Sequence, residues 1–443
     1  MKRSAMKLLE NWKHKKNRKP LLLQGARQVG KTYLINKFGK NYFDRIYTLN
    51  FEDPTVHTIF NNGPVDVESA LLRMQVLLGE KINRKNDLIF FDEIQDCPVA
   101  INALKYFNEN MPDLAIACAG SHIGISGSQG SFPVGRVNFE TLHPLSFSEF
   151  LFQYKPLLAE VMQKAVSTLE LDEFIHGQLW DAYLIYTLVG GMPEAVVSFL
   201  SEDDLYSALN SARDVHKTLI HGYINDFSKY CEKQMAHKIS AVFQNIPSQL
   251  QAVHDQSTKR YQFSGVISGN SKYAQLQGPL DWLLASGLIL RIPIASIPEQ
   301  PLSAYCKPNM FKLLMFDIGI LNSQLNIDFG MTIDQTQGSY KGFIAENFVA
   351  QQIRNTFDNQ MYSWAKARSE IEFVLPYRDS VIPVEVKSGI RTKSKSLTEY
   401  KKRYAPLLAV KLSGKNIRHE RGHLNAPIYL AEFLPELIAQ AVK

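Results

Sequence analysis

Cysteine is scarce in this chain, and long apolar runs are missing. Only four cysteines occur among 443 residues, Cys97, Cys118, Cys231 and Cys306, and none stands in a C-x-x-C pair or a paired Cys/His spacing. That scatter excludes a disulfide frame and a finger-type zinc site, so the four are expected as small buried hydrophobes. No stretch approaches the roughly 18 to 20 consecutive apolar residues that a membrane helix needs. The opening MKRSAMKLLENWKHKK also lacks the apolar segment of a signal peptide. A cytoplasmic location is expected. Nor is there a strong excess of one charge: the net is +6, with 21% charged and 45% hydrophobic residues. This is an ordinary globular composition, and the length implies about two to four domains. Such a charge permits a polyanionic partner without demanding one. Basic residues gather in Lys13 to Lys19, in Arg391-Thr392-Lys393-Ser394-Lys395 and in Lys401-Lys402-Arg403. By default such runs are solvated faces.

What is present is a complete phosphate-binding loop. Gly25-Ala26-Arg27-Gln28-Val29-Gly30-Lys31-Thr32 reads G-x-x-x-x-G-K-[ST], after the apolar Leu21-Leu22-Leu23 and before a helix-like stretch to Phe38. Glycines let the backbone curl around phosphates, and the following helix turns its positive end toward the same anion. Lys31 adds a charge there, and Thr32 can hold Mg²⁺ through its hydroxyl. A bare glycine turn beside a surface lysine is the plainer alternative. Leu88-Ile89-Phe90-Phe91-Asp92-Glu93 is a short apolar strand ending in two carboxylates, the Walker B arrangement. In that role Asp92 holds Mg²⁺ through water, and Glu93 polarises the water that attacks the γ-phosphate. A solvated acidic pair before the helix near Pro98 is the competing reading.

Further apolar stretches follow at Arg45 to Phe51, at Leu114 to Ala119 and at Val137 to Leu142, interleaved with helical segments. They predict a parallel sheet with crossover helices. Ser121, just beyond the fourth strand, is a candidate γ-phosphate sensor, with His122 second to it and plain turn chemistry as the alternative. The order of Pro20 to Thr32, Leu49-Asn50-Phe51-Glu52, Phe91 to Gln95, Ala119-Gly120-Ser121, Gly135-Arg136-Val137 and Pro144 to Phe150 resembles the prokaryotic AAA+ ATPases that carry a C-terminal domain of unknown function. The likeness covers nearly the whole chain. It implies ATP as the nucleotide, and it gives Arg136 the place of an arginine finger acting on a neighbouring copy, hence a homo-oligomer. An arginine that only caps the Phe132 to Gly135 turn is the alternative.

Residues 151–235 carry apolar positions at helical spacing, broken by Gly190-Gly191-Met192-Pro193-Glu194, and read as a helical lid on an ATPase core of residues 1–150. Short helical segments followed by the strand Leu288 to Ile292 suit a winged helix-turn-helix over 236–305. In residues 306–443, Glu346, Glu372 in Ser369 to Phe373, and Glu385 with Lys387 in Val384-Glu385-Val386-Lys387 resemble the core of the PD-(D/E)xK nuclease fold. A period of two puts Glu385 and Lys387 on one side of a strand. Glu372 and Glu385 are candidate Mg²⁺ ligands, Glu346 a ligand from the side, and Lys387 a group that positions water. That family usually has Asp where Glu372 stands, and the extra methylene puts the metal centre in question. Otherwise Glu372, Glu385 and Lys387 are surface charges on an exposed hairpin. Lys366, Arg368, Arg391, Lys393 and Lys395, with Tyr362 and Trp364, suit a phosphate backbone.

The expected fold is therefore α/β: a P-loop AAA+ parallel sheet with a helical lid, a winged helix-turn-helix and a C-terminal restriction-endonuclease-like α/β domain. The expected function is Mg²⁺-dependent ATP hydrolysis coupled to DNA binding or remodelling, with metal-dependent strand cleavage as a further activity. Two rivals stay open: a nucleotide-switched DNA- or protein-binding regulator with a silent nuclease-like domain, and an ATPase acting on protein partners alone.

Overall fold

The computed structural model describes residues 1–60, 66–120, 135–254, 260–269, 272–333, 340–357, 360–366, 369–389 and 394–443. Its contacts divide the chain into two compact units, Met1–His143 with Ala285–Gly287, and Pro144–Leu284 with Leu288–Lys443. No helix among the described residues is long and apolar enough to cross a membrane.

The first unit runs α1 (Ala5–Lys13), β1 (Leu21–Gln24), α2 (Lys31–Tyr42), β2 (Ile46–Asn50), α3 (Pro54–His57), α4 (Val67–Leu78), β3 (Leu88–Asp92), α5 (Pro98–Asn110), β4 (Ala115–Ala119) and β5 (Asn138–Thr141). Its five strands lie in the order β2-β3-β4-β1-β5, and every pair is parallel. β3 and β4 are buried along their whole length, which is why both read as unbroken apolar runs rather than alternating ones. Local chemistry starts the helices: Asp66 accepts from the Glu68 and Ser69 N–H groups at the head of α4, and Pro98 opens α5. Phe51, Phe60 and Phe107 each pack edge-on against Phe91, with ring centroids 5.4, 6.0 and 6.4 Å away. That cage fixes the end of β3, so the carboxylate that follows is held in place.

The second unit begins with helices α6 (Phe147–Tyr154), α7 (Pro156–Thr168), α8 (Glu173–Val189), α9 (Pro193–Leu200), α10 (Leu205–Tyr230), α11 (Lys233–His254) and α12 (Tyr273–Ala285). Next come β6 (Ile289–Ala295), β7 (Cys306–Met315), α13 (Ile318–Gln324), α14 (Phe329–Ile333), α15 (Tyr340–Phe357), β8 (Tyr362–Lys366), β9 (Ser369–Tyr377), β10 (Ser380–Val386), α16 (Lys395–Tyr404), β11 (Ala409–Ser413), β12 (Arg418–Glu420), β13 (His423–Pro427) and α17 (Leu434–Ala441). Its mixed eight-stranded sheet has the order β12-β13-β11-β10-β9-β8-β6-β7.

Two expected boundaries give way to this arrangement. The helices read as a lid on the first domain share a core with the C-terminal elements: the Phe348 ring lies 4.8 Å from Tyr183 and 5.8 Å from Tyr186, and the Tyr429 ring 5.7 Å from His176. The strand expected to belong to a separate winged helix is β6. It pairs antiparallel with β7 and parallel with β8, and so joins the eight-stranded C-terminal sheet. The Gly190-Gly191 turn has a buried anchor in the same unit. Asp317 accepts from the Gly191 N–H at 2.7 Å and caps α13 through the Gly319 and Ile320 N–H groups at 3.0 and 3.1 Å. Burial raises its carboxyl to about 6, against those bonds.

Of the cysteines, Cys97 and Cys118 are buried, whereas Cys231 and Cys306 are only half-buried, and all four are free.

Candidate nucleotide site and C-terminal charge cluster

The phosphate loop connects β1 to α2. Gly25 has φ +148, and a Cβ there would stand 2.2 Å from the Leu142 carbonyl oxygen, so only glycine lets the loop pass β5. Gly30 takes φ +93 at the N-cap of α2, and Gln28 takes φ +65. The first-turn N–H groups of α2 have no partner within the helix and present its positive end to the loop. Lys31 is 6% exposed and donates to the Gly25 and Ala26 carbonyls at 3.0 and 2.9 Å. Burial pulls its ammonium down to about 8, while Glu93 and Asp92 oppose that pull. The Thr32 hydroxyl donates to Asp92 Oδ2 at 2.9 Å. Burial also raises the Asp92 carboxyl, and the Thr32 bond draws it back. Arg27 is half-buried and Ala26 and Val29 are buried, so these three shape the loop rather than display it.

β1 and β3 flank β4, which brings the loop and the end of β3 to the same edge of the sheet. Glu93 follows Asp92 directly, with φ +49, an unusual conformation for a residue with a side chain. Its N–H donates to Asp92 Oδ1 at 3.1 Å, and its Oε2 accepts from Gln95 at 2.5 Å. An adjacent hydroxyl, carboxylate and ammonium fit a Mg-nucleotide: Thr32 and Asp92 would hold the ion and Lys31 the phosphates. Ser121 and His122 lie outside the described residues, as does the Phe132 to Val134 part of the loop before Arg136. Arg136 precedes β5 at the N-terminal end of that strand, the edge opposite the phosphate loop. There it pairs with Glu109 at 3.0 Å, so it cannot reach the loop of its own copy.

In the second unit, Glu372 on β9, Glu385 at the end of β10 and Lys387 just beyond it come together. Lys387 Nζ is 2.6 Å from Glu385 Oε1 and 3.6 Å from Glu372 Oε1. Glu372 Oε2 accepts from the Val386 N–H at 3.0 Å, and Glu385 Oε1 from the Ser394 hydroxyl at 2.8 Å. The group is not an exposed hairpin face, because Glu385 is 2% exposed and β10 is buried on both sides. Burial and then Glu385 push the Glu372 carboxyl well above its ordinary value, with Lys387 pulling the other way. Burial works against the Lys387 ammonium, yet Glu372 and Glu385 outweigh it and hold the charge on.

Glu346, expected as a ligand from the side, serves another partner. Its Oε1 accepts from Lys312 Nζ at 2.7 Å, and the same fully buried ammonium also pairs with Glu370. Among the described residues, no group of three or more His, Cys, Asp and Glu side chains is arranged to hold a metal ion. Glu385 Oε2 is buried without a hydrogen bond, but the Lys387 ammonium stands where a cation between the two carboxylates would go. This donor set does not fit a divalent metal. The aromatic flank also changes role: Trp364 is wholly buried, edge-on to Tyr400 and Tyr404 at 5.1 and 5.7 Å, so it is core and offers no face to a base. Lys366 and Lys395 are exposed, while Arg368, Arg391 and Lys393 lie outside the described residues.

Lys312, Glu370 and Ser394 were missed as site residues. A single lysine inside the apolar run Phe311 to Met315 was the available sign, since a charge there needs buried partners.

A parallel five-stranded sheet, a phosphate loop after its first strand and an acidic pair after its third define the first unit as a P-loop α/β domain of the AAA type. In agreement, residues 17–151 match the family described as AAA domain. Residues 181–329 and 341–430 match two further families, each described as a domain of unknown function. No curated protein matches the chain. Among solved structures, the Thermotoga maritima RuvB Holliday junction branch migration motor is 14% identical, with 65% of this chain and 87% of that one covered and a TM-score of 0.31. The Aeropyrum pernix ORC1 protein in complex with DNA is 9% identical, with coverage of 73% and 91% and a TM-score of 0.30. C. elegans PCH-2 is 14% identical, the chain spans 66% of its length and 47% of this chain is covered, with a TM-score of 0.27. At such scores these likenesses carry no argument about fold or function.

Proposed function

We propose that the chain hydrolyses ATP with Mg²⁺ and couples the cycle to DNA binding or remodelling. The observation that carries the first half is the Thr32–Asp92 hydrogen bond beneath the phosphate loop. Bound Mg²⁺ would supply charge neutralisation at the β- and γ-phosphates. Lys31 neutralises phosphate charge, the α2 N–H groups receive phosphate oxygens, and Glu93 takes a proton from the attacking water. Ser121 is the proposed sensor, and Arg136 reaches the nucleotide of a neighbouring copy, which makes the working form a homo-oligomer. The DNA half rests on the basic segments of the chain. Phosphate release from Mg-ATP, with and without duplex or single-stranded DNA at matched low salt, tests both halves. DNA-stimulated turnover supports them, whereas turnover indifferent to DNA removes the coupling.

For the C-terminal cluster a second reading is favoured: a nuclease-like domain that binds and does not cut. It rests on the Lys387 ammonium between Glu372 and Glu385 and on the pairing of Glu346 with Lys312. Plasmid incubated with the protein and Mg²⁺ should stay intact. Nicking that disappears in Lys387→Ala would restore strand cleavage to this site.

A further inference from the structure

The first unit has a second concave feature, away from the phosphate loop. Four stretches meet there: residues 15–19 before β1, Lys85 before β3, the C-terminal end of α5 with the turn into β4, and Arg136 before β5. All four precede strands of the parallel sheet, so the cavity sits at the N-terminal edge, opposite the nucleotide site. Its volume is about 530 Å³, and six of its ten described lining residues are Lys15, Lys16, Arg18, Lys19, Lys85 and Arg136, against one acid among them, Asp113. Three of the six brace the walls. Arg18 donates to the Asp113 carbonyl at 2.8 Å, Lys19 to the Gly135 carbonyl at 2.6 Å, and Arg136 pairs with Glu109. Lys15, Lys16 and Lys85 are exposed at the mouth.

Solvation of a lysine run is enough to explain residues 15–19 taken alone. It does not explain why Lys85 and Arg136, some 70 and 120 residues further along the chain, converge on the same hollow. Like charges held this close repel one another, and an anion with several charges at fixed spacing relieves that repulsion. None of the described lining residues is aromatic, so these residues offer no platform on which a base could stack. The contact these basic residues support is to phosphate.

We propose that this cavity takes the phosphodiester backbone of a nucleic acid, held without regard to base sequence. The proposal deepens the DNA reading above and rests on it: the ATPase unit has its own grip on the strand, independent of the C-terminal cluster.

The test compares the full-length chain with its Lys15→Ala, Lys16→Ala, Lys85→Ala triple variant. Binding of a labelled duplex is measured without nucleotide across a salt series, with single-stranded DNA and inorganic tripolyphosphate as competitors. The variant should bind duplex at least about tenfold more weakly, and its log-affinity against log-salt slope should be shallower by roughly 2 to 3, close to one per lost phosphate contact. Its melting temperature and DNA-free ATP hydrolysis should be unchanged. Duplex binding and slope equal to wild type would overturn the cavity assignment and leave the DNA reading standing. A wild-type chain that binds no DNA would overturn both. Competition by tripolyphosphate but not by DNA would assign the cavity to small polyphosphates, and lost ATP hydrolysis with intact DNA binding would assign it to contact between copies.

Discussion

The two charged sites of this protein use the same side-chain types and arrange them in opposite ways. At the phosphate loop, Lys31 rests on backbone carbonyls and leaves Asp92 to the Thr32 hydroxyl, so the acid and the base are separate tools. In the second unit, Lys387 and Lys312 lie directly on the carboxylates: one bridges Glu372 and Glu385, the other Glu346 and Glu370. Charges already paired inside a protein stabilise mainly each other, and prising them apart costs several kcal/mol. A matching set of residues is therefore not a working site until one sees which partner each charge has.

The sharpest way to break that contrast is to remove one tool from each side. Glu93→Gln should lower kcat for ATP by about 100-fold or more, the usual loss for a general base, while nucleotide binding persists; unchanged steady-state turnover would put the base elsewhere. Lys312→Met should act on the fold instead. Leaving the buried Glu346 and the half-buried Glu370 without their cation should cost about 3 to 5 kcal/mol in denaturant melts, and a loss within error would show that the pair is dispensable.

Acid should also separate the two units. Burial lowers the His216 imidazole to about 4, where its Nε2 meets the Val189 carbonyl at 3.0 Å. The folded state thus binds fewer protons than the unfolded one between about pH 4 and 6.5. Stability from this group is complete above 6.5 and falls as the pH drops through that window, by about 3 kcal/mol in all. His216→Gln should flatten the acid limb of the second unit's unfolding curve, and an unaltered limb would point to another group. The smallest effect belongs to Arg136→Ala. Its pair with Glu109 is half-exposed, so stability should fall by less than about 1 kcal/mol. A marked loss of ATP hydrolysis in a variant that melts normally would then have to act through a neighbouring copy, and normal hydrolysis would retire the finger role.

Much of the first unit was legible, because its signals are local. Leu88 to Asp92 reads as a buried strand from its run of apolar residues, and Gly25 to Thr32 carries its loop geometry in its own glycines. The second unit hides its logic in long-range pairs. Burial does not alternate along Val381 to Val386, because β10 sits in mid-sheet with both faces covered. The stretch read as a lid meets the C-terminal elements, as where Tyr183 packs against Phe348, and no periodicity reports such a contact. Glu346 looked like a ligand until Lys312 arrived from a distant strand. Trp364 looked like a stacking surface because nothing near it in sequence shows Tyr400 and Tyr404 closing over it.

The central claim is that the first unit is a working Mg-ATPase whose chemistry runs through the loop and the end of β3. The most direct test is phosphate release from Mg-ATP by wild type and by Lys31→Ala, each assayed with and without excess EDTA. Turnover in the wild type that both EDTA and the substitution abolish is the predicted result. Equal turnover in the two proteins, or none in a wild-type chain shown to be folded, would contradict it.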